Sequence, residues 1–169
     1  MKQLMILFGL LASVSAFAHP SPQPPVMPAE FDTLKKLLGI WEGTTDMNGK
    51  SMPMKVTYEL TSGGTAITEK LGPGTPMEMI SIYYKQGKSL AMTHYCAMNN
   101  HPQMKLKKSD AKSLSFEMTD TTGLSSAKEM HMHALTLILP DENTLNQEWT
   151  NYSGGKKGEL AKFTFKRSH

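Results

Sequence analysis

The run Met54-Lys55-Val56-Thr57-Tyr58-Glu59-Leu60-Thr61 alternates strictly between apolar and polar side chains. A β-strand sends successive side chains to opposite faces. Met54, Val56, Tyr58 and Leu60 therefore share one side, and Lys55, Thr57, Glu59 and Thr61 the other. A helix would scatter both sets around its circumference. The pattern returns further along. Leu114, Phe116 and Met118 oppose Ser115, Glu117 and Thr119, and Ala161, Phe163 and Phe165 oppose Lys162, Thr164 and Lys166. Each segment is apolar on one face and wet on the other.

Turn residues punctuate these runs every eight to twelve positions, as in an all-β domain. Asn48-Gly49, Ser62-Gly63-Gly64, Gly72-Pro73-Gly74, Gln86-Gly87 and Gly154-Gly155 are such points. Between them the spacing predicts strands at Ile40–Met47, Met52–Thr61, Thr65–Leu71, Met77–Lys85 and Lys88–Ala97. Gln103–Lys108, Lys112–Thr119, Lys128–Leu139, Thr144–Tyr152 and Gly158–Arg167 complete a set of ten. No connection has room for a helical crossover, so the sheet is expected to be antiparallel. A sheet with one apolar face and no covering helices must become a sandwich or close on itself. Simple hairpin order favours an up-and-down barrel, which abolishes the edges. A barrel this wide is expected to hold a cavity.

One short helix precedes the strands. Phe31, Leu34, Leu37 and Leu38 recur at helical spacing, and Gly39 is a natural stop. It should cover one end of the barrel. Upstream, residues 19–29 carry Pro20, Pro22, Pro24, Pro25 and Pro28 and read as an extended tether. Residues 1–18 read as a secretory signal. Lys2 is the positive start, Leu4 to Leu11 the apolar run, and Ala16-Phe17-Ala18 the cleavage site. The domain would then be residues 30–169, in the periplasm of a Gram-negative bacterium or secreted, with no membrane anchor after cleavage. The formal charge of +3 is spread among interleaved acids and bases, which argues against a nucleic-acid surface. The single cysteine, Cys96, cannot form an internal disulfide, so the core must hold the fold alone.

Gly39-Ile40-Trp41 at the head of the first strand, after a short helix, resembles the opening of the lipocalin and fatty-acid-binding (calycin) barrels. The resemblance implies that Arg167, on the last strand, packs across Trp41 and helps to close the barrel. Longer stretches extend the likeness. Leu38-Gly39-Ile40-Trp41-Glu42-Gly43, Thr93-His94-Tyr95-Cys96, Asn100-x-Pro102-x-Met104, Ala127-Lys128-Glu129 with His131 and His133, and Glu148-Trp149 resemble an uncharacterised bacterial family of exported calycin-like proteins. The architecture is also similar to that of nitrobindin-type haem barrels. His101 stands where that family leads one to expect glutamine.

His131 and His133, two apart on a strand, point to one side, a spacing that can chelate one ion. His94 and Cys96 have the same spacing on another strand and could face them across the lumen. These four residues form the candidate metal or haem-iron set. Leu135, Leu137 and Leu139 continue the His131 face, so both histidines could equally be hydrogen-bonded groups at the rim of a packed interior. Cys96 and His94 lie roughly 6–7 Å apart at strand spacing, too far for direct activation of a thiol nucleophile. Three Met-x-Met pairs, Met52/Met54, Met77/Met79 and Met130/Met132, suggest copper handling, a soft cavity wall, or ordinary core.

No phosphate loop, nucleophile elbow, His-Glu-x-x-His or paired-cysteine motif is present. A small lumen-based enzyme thus has only the histidines as candidate bases. The reading that fits best is a periplasmic or secreted protein binding a small, largely apolar molecule in the lumen. Tyr58, Met79, Met92, Phe116 and Trp149 would be the wall, and His94, His131 and His133 the polar contacts. Metal (zinc or copper) or haem binding through the histidines is the alternative.

Overall fold

The computed structural model describes residues 25–47 and 50–168. The proposed signal, most of the tether and the Asn48-Gly49 turn lie outside them. Ten antiparallel strands close into one barrel. In chain order they are β1 (Gly39–Met47), β2 (Lys50–Thr61), β3 (Ala66–Leu71), β4 (Met79–Gln86) and β5 (Ser89–Tyr95). β6 (Gln103–Ser109), β7 (Ser113–Met118), β8 (His131–Asp141), β9 (Thr144–Ser153) and β10 (Lys156–Arg167) follow. Every strand pairs with its sequence neighbours, and β1 pairs with β10 to shut the ring. This is a calycin-like, all-β, up-and-down barrel. Among the described residues no helix is long and apolar enough to cross a membrane.

The seam between β1 and β10 depends on the motif at the start of the first strand. Trp41 stands opposite Arg167, and Gly43 opposite Phe165. A Cβ on Gly43 would lie 2.1 Å from the Thr164 carbonyl oxygen, so only glycine lets the strands approach here. Gly39 has φ +117°, a conformation that L side chains rarely adopt. It is the first residue of β1 as well as the end of the helical turn.

The helix α1 (Glu30–Lys35) is shorter than its apolar spacing suggests. Phe31, Leu34 and Leu37 nonetheless bury completely beneath the barrel end where β1 begins. Arg167 ties the two together. Its guanidinium lies 4.1 Å from the centre of the Trp41 ring. It also donates to the carbonyls of Leu38 (2.8 Å), Lys36 (2.7 Å) and Glu142 (3.0 Å). The expected arginine–tryptophan contact is therefore present, and it also caps the carbonyls left bare after the helix.

The inward set follows the alternation. Val56, Tyr58, Ile67, Tyr83, Met92, Met104, Phe116, Leu135, Leu137, Trp149 and Phe165 are buried. Leu60 departs from it, because it lies at the end of β2 and is 46% exposed. β8 begins at His131 rather than Lys128. Residues 119–130 instead run back as a loop over the end of the barrel opposite α1. His101 N donates to the Gly123 carbonyl, and the Asn100 amide donates to Glu129 Oε1 and the Met130 carbonyl, both at 2.9 Å.

Candidate functional site

The lumen is filled rather than hollow. A polar cluster sits in its middle. Tyr83 donates to Glu69 Oε2 at 2.5 Å, and Gln147 Nε2 lies 3.2 Å from Glu69 Oε1 and 2.6 Å from the Tyr58 hydroxyl. Trp149 Nε1 donates to Gln147 Oε1 at 3.0 Å. Burial pushes the Glu69 carboxyl up to about 7, against the hydrogen bonds from Tyr83 and Gln147 that pull it down. The same burial, with the charge of Glu69 beside them, pushes both tyrosines well above the ordinary phenol range.

Ser81 stands opposite His94, with its Oγ 3.0 Å from His94 Nδ1. His94 Nε2 is buried without a hydrogen-bond partner. Burial lowers the His94 pKa to about 4, so the ring is neutral. The ring packs against Trp149 at 4.5 Å between centroids. Beside it is a cavity of ≈ 20 Å³ lined by Leu71, Met79, His94, Met132, Trp149 and Phe163.

His131 and His133 lie elsewhere. The pairing of β8 with β9 shifts between Met132 and Ala134, leaving His133 as the extra residue of a bulge. Trp149 and Met132 border the cavity. Counting outward from Trp149, Tyr152 and its partner His131 fall on the outer face. The expectation that Leu135, Leu137 and Leu139 continue the histidine face is therefore corrected: the bulge flips the alternation. His131 Nδ1 lies 2.6 Å from the Glu129 carbonyl oxygen, and its Nε2 lies 3.2 Å from His133 Nδ1. His133 stacks on Tyr152 at 4.0 Å and stands 3.9 Å from Glu117 Oε1. Burial, then the neighbouring His131, lowers its pKa. The two imidazoles engage each other through His131 Nε2 and His133 Nδ1, and His133 Nε2 is left facing Glu117.

The four residues of the expected metal set are thus split. Among the described residues no three His, Cys, Asp or Glu side chains converge in a way that could hold an ion. Cys96 lies beyond the end of β5, half-buried, with Sγ 4.0 Å from Met79 Sδ. Burial raises its thiol pKa. Of the expected ligand wall, Met79, His94 and Trp149 meet at the small cavity, while Tyr58 belongs to the polar cluster. Met92 and Phe116 are core, the latter edge-on to Tyr83 at 5.5 Å. A cavity of ≈ 20 Å³ has no room for a porphyrin, so the residues at His94 do not fit haem.

Glu69, Ser81, Tyr83 and Gln147 went unnoticed in the sequence, yet the alternation held the signal. Glu69 sits between Ile67 and Leu71 on the inward face, and Gln147 between Leu145 and Trp149. A polar residue in register with a core face must find buried partners.

A second, larger hollow opens at the end away from α1. Met52, Pro53, Met54, Gly72, Pro73, Thr75, Pro76 and Met77, with Glu42, Gly43 and Lys55, line a cleft of ≈ 780 Å³. Met52 and Met77 are about half exposed, at 47% and 53%. No known protein family matches this chain, and no curated protein matches it as a relative.

Proposed function

We propose that the protein is an exported binding protein that takes a small, largely apolar molecule into the methionine- and proline-lined cleft at the end of the barrel away from α1. The observation that carries this reading is the cleft itself. Its ≈ 780 Å³ lies within the range of about 300–1,000 Å³ common for small-molecule pockets. Thioether walls adapt to irregular apolar shapes. Glu42 and Lys55 supply polar groups at the edge. The filled lumen argues for a ligand at the mouth rather than in the centre. The charged, apolar and small-residue order of residues 1–18 supports a periplasmic or secreted setting. The Gly39-Ile40-Trp41 opening supports kinship with exported calycin-like proteins.

The test uses an anilinonaphthalene sulfonate probe with the purified chain. Binding should raise probe emission and protein Tm. The single variant M77E should weaken it by about 1–3 kcal/mol, the cost of a charge in an apolar wall without a partner. Equal probe affinity in M77E and the parent, with M77E folded, would refute the proposal.

A further inference from the structure

The sulfurs of the barrel differ widely in exposure. Met92 and Met104 are fully buried and Met118 nearly so. Met54, Met79 and Met132 are partly buried against the core. Among the described residues the thioethers that stand about half exposed are Met52, Met77 and Met130, the last at 51%. Cys96 is half-buried, and burial raises its thiol pKa, so little thiolate is offered to an oxidant. A thioether has no proton to lose and needs no such activation. The accessible thioethers are therefore the groups that oxidise first. Met52 and Met77 stand in the wall of the cleft, and Met130 does not.

We propose that Met52 and Met77 form an oxidation switch on the cleft, in which hydrogen peroxide turns both thioethers into sulfoxides and the cleft gives up its apolar ligand. The inference rests on the cleft reading and names how that same site is regulated. A sulfur lone pair takes one oxygen from the peroxide, the O–O bond breaks, and the other oxygen leaves as water. Sulfur is oxidised by two electrons and the peroxide is reduced. The product is polar, with a strong acceptor where an apolar group stood. The wall is poor in donors for it. Pro53, Pro73 and Pro76 bring no N–H. The side-chain donors of the wall are Lys55 and Thr75, and they already face Glu42 at 3.7 Å and the Gly72 carbonyl at 2.8 Å. Sulfoxide oxygens there hold water, which an apolar ligand must strip away at a cost. Met52 comes from β2 and Met77 from the loop before β4, so two segments of the wall change together.

The probe is anilinonaphthalene sulfonate, titrated before and after mild treatment with hydrogen peroxide, with peptide mapping by mass spectrometry to place the added oxygens. Met52, Met77 and Met130 should gain oxygen before Met92, Met104 and Cys96. Probe affinity should fall at least about fivefold, the lower end of the cost of an unsatisfied polar group. The two methionine sulfoxide reductases, one for each epimer, should restore it. The variant M52L/M77L keeps the volume and apolar character of both side chains and should stay folded. It should bind the probe and keep its affinity after peroxide. M130L should bind and lose affinity like the parent, because Met130 lies outside the wall. A reduced parent that binds no probe would refute the cleft reading and this inference with it. Three results would overturn the switch and leave the cleft standing: folded protein carrying both sulfoxides that binds the probe as tightly as before, M52L/M77L losing as much affinity to peroxide as the parent, or an affinity that the reductases do not restore.

Discussion

Replacing Glu69 by glutamine should change how stability depends on pH, in a direction the buried cluster dictates. The carboxyl titrates near 7 in the folded protein and near 4.5 when free. Between those values the native state holds a proton that the unfolded chain has released. Stability from this group is therefore complete below pH 4.5 and is lost as pH rises through 7. The gap of about 2.5 units corresponds to about 3 kcal/mol, and full burial leaves no solvent screening to discount it. His94 works the other way. Its pKa falls from 6.5 to about 4, so its contribution is intact above 6.5 and is lost as pH falls toward 4. The two slopes oppose each other over pH 4.5–6.5 and should nearly cancel in the parent protein. Glutamine mimics the protonated carboxyl and removes one slope. In E69Q, stability should rise by about 1.4 kcal/mol per pH unit across that window. Urea melts read by the emission of Trp41 and Trp149, both buried, at pH 4.5 to 8.5 measure this directly. The stability of the parent minus that of E69Q should fall by about 3 kcal/mol from pH 4.5 to 8. A difference that stays constant with pH would show that Glu69 titrates as an ordinary exposed acid, and the reasoning fails.

Two further outcomes follow from the barrel seam. R167A should cost about 3 kcal/mol in urea denaturation, through the lost contact with Trp41 and the bare carbonyls of Lys36 and Leu38. G43A should destabilise the fold more than a typical surface change, by about 3 kcal/mol or more, because its methyl meets the Thr164 carbonyl oxygen. Thermal melting with far-UV circular dichroism checks it, and a Tm within a degree or two of the parent would contradict the close approach of β1 and β10.

Strand alternation and turn residues made the ring of hairpins legible before any coordinates, and the resemblance carried by Gly39-Ile40-Trp41 added the tie between Trp41 and Arg167. They worked because each depends on neighbours within a few residues, and a period of two leaves little freedom over which side faces inward. The same alternation already placed Glu69 and Gln147 on the apolar side. What only the tertiary structure decided was how far each group is from the others. One inserted residue at His133 separates His131 and His133 from His94, and no local pattern announces the bulge, because it shows only in which residues of β9 stand opposite which of β8. The volume left inside is likewise a sum over side chains from all ten strands, so a lumen expected to be roomy closes to a pocket of ≈ 20 Å³. Which side a residue faces is a local property of the chain. Which residues meet, and what space remains between them, depends on pairing and packing across the whole barrel.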